Sequence, residues 1–231
     1  MARNTYGLDL GSYEIKVYDK KQDTIWKEKN VLAVQDKKEI IAIGEDAYQM
    51  YEKTPPDIEV AFPMRDGVIS HFNDMQNLLQ NILKKNRHFS RGAEYVIAVP
   101  TDVTEVQKKA FFDLVIHSNA KAREVNIVER SIADAVGLGI DVQNTTGVMI
   151  INFGGETTEL SVLTEGGIVF NRLLKLGGTT LDQEIVNLVR NSHDFLIGSR
   201  TAEILRQQFD VFNGDSETAF SVAGRDLITG L

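Results

Sequence analysis

The chain has 231 residues, 42% hydrophobic and 25% charged, the balance of an ordinary globular protein long enough to bury a substantial core. Its formal net charge of −8 argues against nucleic acid as a partner, which needs a basic footprint, and the absence of cysteine excludes disulfides, thiolate metal sites and a cysteine nucleophile. Met1-Ala2-Arg3-Asn4-Thr5 leads straight into a strand pattern, so neither a signal peptide nor a membrane span is expected there, and the expected location is the cytoplasm.

Residues 6–18 read as a two-strand hairpin across Gly11. Short strands follow around Ile25-Trp26, Val31–Val34 and Ile40–Ile43. Gly44 to Ala47 opens a short helix that must stop before Pro55-Pro56. The segment Phe62–Ile69 connects to a helix starting near Asn73, in which Met75, Leu78, Leu79, Ile82 and Leu83 recur at helical spacing. Tyr95–Val99 is a buried strand ended by Pro100, and the next helix starts at Thr104, with Thr101 as its expected cap. A strand at Val125–Val128 precedes a helix from Ser131 to about Gly139.

The scheme then restarts. Val148–Ile151, Glu159–Leu163 and Ile168–Phe170 read as strands, and a helix follows Asp182 with Leu181, Ile185, Leu188 and Val189 on one face. A further helix opens at Gly198, and the stretch 220–231 reads as strand and turn. Strands alternating with helices predict an α/β fold with ligands at the carboxyl ends of the strands.

Two segments carry the chemistry. Gly7-Leu8-Asp9-Leu10-Gly11-Ser12 and Ile150-Ile151-Asn152-Phe153-Gly154-Gly155 each place a strand, then a carboxylate or amide, then a Gly turn. The two anchors, positions 9 and 152, lie 143 residues apart. Backbone N–H groups in such turns form anion-binding concavities, and two of them suggest a duplicated domain that clamps one polyphosphate. His71, His88, His117 and His193 lack metal-ligand spacing and read as structural or surface residues.

With these turns, Arg65-Asp66-Gly67-Val68-Ile69, Val99–Lys108, Ala122-Arg123-Glu124-Val125, Gly154–Glu159, Leu176-Gly177-Gly178, Ile197–Glu203 and Gly224–Leu231 resemble the MreB family of bacterial actin homologues along the whole chain. The resemblance implies an actin-like (ribonuclease H-like) fold of two α/β lobes: lobe I over 1–145, with a small subdomain inserted at about 30–64, and a partial lobe II over 146–231. Family members continue with a Gly-rich adenosine-binding loop and further helices, so the second sheet is expected to leave apolar surface uncovered.

The resemblance also implies ATP and Mg²⁺ in the cleft. It carries phosphate contacts onto Asp9, Gly11, Ser12, Gly154, Gly155, Thr157, Gly177 and Gly178, a ribose contact onto Glu203, and metal-facing positions onto Asp9 and Asn152. Four positions depart from the family's pattern. Asn152 stands for Asp, Glu156 for the third loop Gly, Glu14 for Asn, and Arg130-Ser131 for the Glu-Pro pair whose Glu orients the attacking water. Arg stays protonated and cannot act as a base, so no catalytic residue is expected and hydrolysis should be impaired. Arg130 is expected either to close the site by pairing with Glu156 or Glu14, or to reach the nucleotide's terminal phosphate. Lys16 reads as a solvated strand lysine or a phosphate contact.

The implied function is a cytoskeletal filament at the inner face of the cytoplasmic membrane that helps set cell shape, partnered by copies of itself and by cell-wall elongation membrane proteins. The Asn86–Arg91 loop, with Phe89 among basic residues, offers at most weak membrane contact. Gly11–Lys16 also resembles the turn of membrane-assembly adaptors of the FtsA and PilM type, a non-filamentous alternative that the Arg65–Ile69 and Thr201–Glu203 blocks disfavour.

Overall fold

A computed structural model of the chain describes residues 4–85, 92–208 and 219–230. They form two compact units, Met1–Lys175 and Leu176–Leu231.

The first unit begins with β1 (Thr5–Leu10), β2 (Glu14–Asp19) and β3 (Thr24–Lys29), an antiparallel run. Next come β4 (Leu32–Gln35), β5 (Glu39–Ile43), α1 (Glu45–Met50) and β6 (Ile58–Ala61), a three-stranded sheet with its own helix. Its small core is Val31, Ala33 and Ala47. A two-residue hairpin, β7 (Met64–Arg65) and β8 (Val68–Ile69), leads into α2 (Phe72–Lys85), one residue earlier than the sequence suggested.

After β9 (Glu94–Val99), α3 (Glu105–Ile116) and β10 (Glu124–Glu129), the main sheet is complete in the order β10-β9-β1-β2-β3, with β1 parallel to β9 and β9 parallel to β10. Alternate residues of β1 and β9 (Tyr6, Leu8, Leu10; Tyr95, Ile97, Val99) are buried, together with Met75, Leu78, Leu79 and Ile82 of α2. The α3 cap differs from expectation. Thr104, not Thr101, accepts from the Gln107 N–H at 3.3 Å, and the Gln107 side chain accepts from the Thr104 N–H at 2.8 Å. This capping box satisfies two helix-end donors reciprocally and leaves Thr101 for other contacts.

The unit closes with α4 (Arg130–Gly137) and the antiparallel meander β11 (Val148–Phe153), β12 (Thr158–Thr164) and β13 (Gly167–Leu174). Ala135 of α4 packs with Ile150 and Leu163 on one face of that meander. On the other face Met149, Ile151 and Phe153 are 59%, 59% and 53% exposed, the uncovered apolar sheet surface that the sequence predicts.

The second unit contains α5 (Gly178–His193), β14 (Phe195–Leu196), α6 (Ser199–Gln208) and β15 (Arg225–Asp226), with β14 and β15 paired. The face expected for α5 is offset. The buried positions are Gly178, Asp182 and Val186, whereas Leu181 and Leu188 are exposed. Ile185 and Val189 of that face do pack, with Val186, against Ile197, Ala202 and Leu205, and beside them Arg206 of α6 donates to both oxygens of Asp182, at 2.6 and 3.2 Å. Among the described residues no helix is long and apolar enough to cross a membrane.

Candidate functional site

The two Gly turns have the same construction. In the first, the Gly11 N–H donates to the Glu14 carbonyl at 3.1 Å; in the second, the Gly154 N–H donates to the Thr157 carbonyl at 2.9 Å. A Cβ on Gly11 would lie 2.8 Å from the Glu14 oxygen, and one on Gly154 would lie 2.9 Å from the Thr157 oxygen, so both positions demand glycine. Strand registers match as well: Asp9 sits opposite Lys16, and Asn152 opposite Glu159. The tips of the turns meet, since a Cβ on Gly155 would lie 2.6 Å from the Cβ of Tyr13.

The β7–β8 hairpin joins the turns. Its central residues Asp66 and Gly67 both have positive φ, 52° and 81°, as in the hairpin turns whose twist matches that of the strands. The Gly67 N–H donates to Ser12 Oγ at 3.2 Å, and the Asp66 N–H donates to Glu156 Oε2 at 2.7 Å. The carboxylate expected to intrude among phosphates is therefore engaged by the hairpin backbone. Asp66 in turn pairs with Lys175 at 2.5 Å.

Charge around Asp9 is arranged differently from the expected pairing of Arg130 with Glu156 or Glu14. Arg130 pairs with Asp9, at 3.5 Å, rather than with Glu156 or Glu14. Glu156 is held by Asp66, and Glu14 faces Lys27 at 3.8 Å. Asp9 also accepts from Lys16 Nζ at 3.0 Å, so one carboxylate lies between two cations. The Arg130 side chain is only 11% exposed, at the first position of α4 where β10 ends.

One turn along α4, Asp134 accepts from Asn152 Nδ2 at 2.7 Å. A carboxylate thus stands beside the amide at 152, a residue that sequence reading missed; its four-residue spacing from Arg130 was the available signal. Burial pushes the Asp134 carboxyl above its usual range, while the Asn152 hydrogen bond and the Arg130 charge pull it down and Asp9 and Glu159 push it up.

Glu159 is 3% exposed and ties the meander to the first sheet. Its Oε1 accepts from the Thr101 N–H at 3.0 Å and from Asn171 Nδ2 at 2.8 Å, while its Oε2 has no hydrogen-bond partner among the described residues. Thr101 Oγ1 also lies 2.9 Å from Ser131 Oγ on α4.

Of the residues expected at the site, Asp9, Gly11, Ser12, Arg130, Asn152, Gly154, Gly155 and Thr157 belong to the first unit. Gly177, Gly178 and Glu203 belong to the second. There Glu203 is buried and accepts from Gln207 at 3.0 Å. It lies past the first turn of α6, so helix-dipole complementarity does not account for it. The Phe89 loop lies outside the described residues.

Paired Gly turns with Lys16 and Arg130 beside them suit an anionic polyphosphate. The donor set does not suit Mg²⁺, which takes few direct protein oxygens and orients its water shell with carboxylates. Asp9 is already engaged by two cations, and Asn152 directs its amide N–H toward Asp134. Among the described residues no group of three or more His, Asp or Glu is placed to hold a metal ion.

Comparison with known proteins gives this site its context. The family model for the MreB/Mbl protein matches residues 3–231. The cell shape-determining protein MreB of Escherichia coli (strain K12) is 34% identical over 240 residues, covering 100% of this chain and 69% of the relative. MreB5 of Spiroplasma citri bound to ADP superposes with a TM-score of 0.91 at 31% identity, covering 100% of this chain and 70% of that one, and its AMPPNP-bound form with 0.87. The MamK double helical filament shares the fold, with a TM-score of 0.79 at 20% identity, over 99% of this chain and 71% of that one. The fold is actin-like, its second lobe incomplete over these residues, and the chain belongs to the MreB/Mbl family.

Proposed function

We propose that this chain is a cytoskeletal protein that assembles into filaments at the inner face of the cytoplasmic membrane and takes part in cell-shape determination, with a cleft that binds an adenine nucleotide and hydrolyses it slowly or not at all. The observation that carries the reading is the matched pair of Gly turns, with equal hydrogen bonds and registers. The relatives support it: E. coli MreB is named for cell shape, MreB5 is bound to ADP or AMPPNP, and MamK forms a double helical filament.

In this reading Gly11, Ser12, Gly154, Gly155 and Thr157 hold the phosphates, with Gly177, Gly178 and Glu203 completing the nucleotide site as the resemblance implies. Lobe I spans 1–145 and partial lobe II spans 146–231. Slow turnover follows from Arg130, a fixed cation that cannot take a proton from water. Partners are other copies of the chain and cell-wall elongation membrane proteins, with a weak membrane contact through Phe89.

Sedimentation and electron microscopy with ATP, paired with a phosphate-release assay, test the reading. Pelletable filaments with phosphate release near background are expected. Absence of assembly with every nucleotide would sink the filament claim, and rapid phosphate release would sink the slow-turnover claim.

A further inference from the structure

The pseudo-equivalent positions Asp9 and Asn152 mark the carboxyl ends of β1 and β11, where the two turns begin. Symmetric strands would let a divalent cation sit between two carboxylates. Here one is an amide that points its N–H₂ at Asp134, and the other is flanked by Lys16 at 3.0 Å and Arg130 at 3.5 Å. Asp9, Lys16 and Arg130 together carry one net positive charge, and Asp134 beside Asn152 adds a carboxyl that burial pushes toward its neutral form.

A phosphate chain near bare carboxylates needs a cation to bridge the repulsion. A phosphate chain near this group does not, because the guanidinium and the ammonium supply the two positive charges a divalent ion would bring. Both issue from fixed backbone, the Lys16 side chain being 44% exposed. Arg130 issues from the first residue of α4 and is nearly buried, and Lys16 is held opposite Asp9 by the β1–β2 register. Guanidinium groups bind phosphate with planar, charge-assisted hydrogen bonds. A dication brought to Asp9 would instead have to displace both partners and then face them as like charges.

We infer that the cleft takes the phosphates of a nucleotide without a divalent metal, Arg130 and Lys16 standing where the metal's charge would be. The inference rests on the nucleotide-binding reading above and is separable from it. The test is calorimetry of the full chain with ADP, once with magnesium and once with excess chelator. Affinities within about threefold of each other are expected, a difference below 1 kcal/mol.

The companion variant is Arg130→Glu, its fold checked by circular dichroism. It should lose at least about tenfold in affinity in chelator and recover with magnesium. Binding by the unmodified chain that requires magnesium overturns the inference and leaves the nucleotide reading standing. No binding in either buffer overturns both. Unchanged metal-free affinity in Arg130→Glu overturns the role given to Arg130 even if the parent ignores magnesium.

Discussion

Arg130 and Asp9 are 121 residues apart in sequence, yet the guanidinium of one lies 3.5 Å from the carboxylate of the other. The contact joins the start of α4, which follows directly on β10, to the end of β1, and β10 and β1 flank β9 in the sheet. At that separation it is a charge contact more than a hydrogen bond. Asp9 keeps about a third of its side chain exposed, which limits the energy through solvent screening. A double-mutant cycle of Arg130→Ala with Asp9→Ala should return a coupling of about 1 kcal/mol in urea unfolding, falling with added salt. Zero coupling at low salt would remove the pair as a structural element.

Asp134 gives a pH signature. Its carboxyl is raised above the ordinary 3.8, mainly by burial. The folded state therefore holds the proton more tightly than the unfolded chain does. That contribution to stability is fully present below the unfolded value and is lost as pH rises through the folded one. Asp134→Asn, which keeps an oxygen for the Asn152 amide, should be more stable than the parent at neutral pH and lose that advantage in acid. Thermal melts across the acid range decide it, and an advantage independent of pH would contradict the assignment.

The contact between the turn tips is steric. A methyl on Gly155 would come within 2.6 Å of the Tyr13 Cβ. Gly155→Ala should cost about 1–3 kcal/mol as the turns are pushed apart. Tyr13→Gly in the same chain removes the opposing carbon and should recover part of the loss, beyond what each single change predicts. Simple additivity in denaturant titrations would argue against direct contact.

In the second unit, Arg206→Ala leaves the buried Asp182 carboxylate without its bidentate partner. With the arginine about a third exposed, the cost should be about 2–3 kcal/mol. Hydrogen exchange should show the loss concentrated in α5 and α6, with β1 and β9 unaffected. Uniform loss across both units would show that they unfold together.

The duplicated turns were legible because strand, anchor and glycine recur at fixed local spacing, and local spacing is what a sequence displays. The turns that follow positions 9 and 152 accordingly proved equivalent in strand register and backbone hydrogen bonding. The partner of Arg130 was not legible. Asp9, Glu14 and Glu156 are all carboxylates of the two turns, and which one Arg130 meets depends on three-dimensional placement. Glu156 is taken by the Asp66 backbone, a bond across 90 residues that no spacing reveals. The α5 face was legible only in part, Ile185 and Val189 packing as expected. Periodicity also placed Leu181 and Leu188 inward, but the buried side of the helix is centred on Asp182 and Val186, where Arg206 and the α6 apolar residues meet it, and Leu188 is 64% exposed. The cap of α3 is a choice between two threonines three residues apart. Gln107 settles it, by answering Thr104 from the correct distance.

The β7–β8 hairpin has a use as an observation post. Its two adjacent backbone amides read opposite halves of the duplication: Gly67 through Ser12, and Asp66 through Glu156. Any event that shifts one turn without the other must disturb one amide and spare its neighbour. In a nitrogen-15 spectrum these two resonances form an internal pair, one channel for each turn. Their relative displacement during a titration would show which half of the duplication responds first.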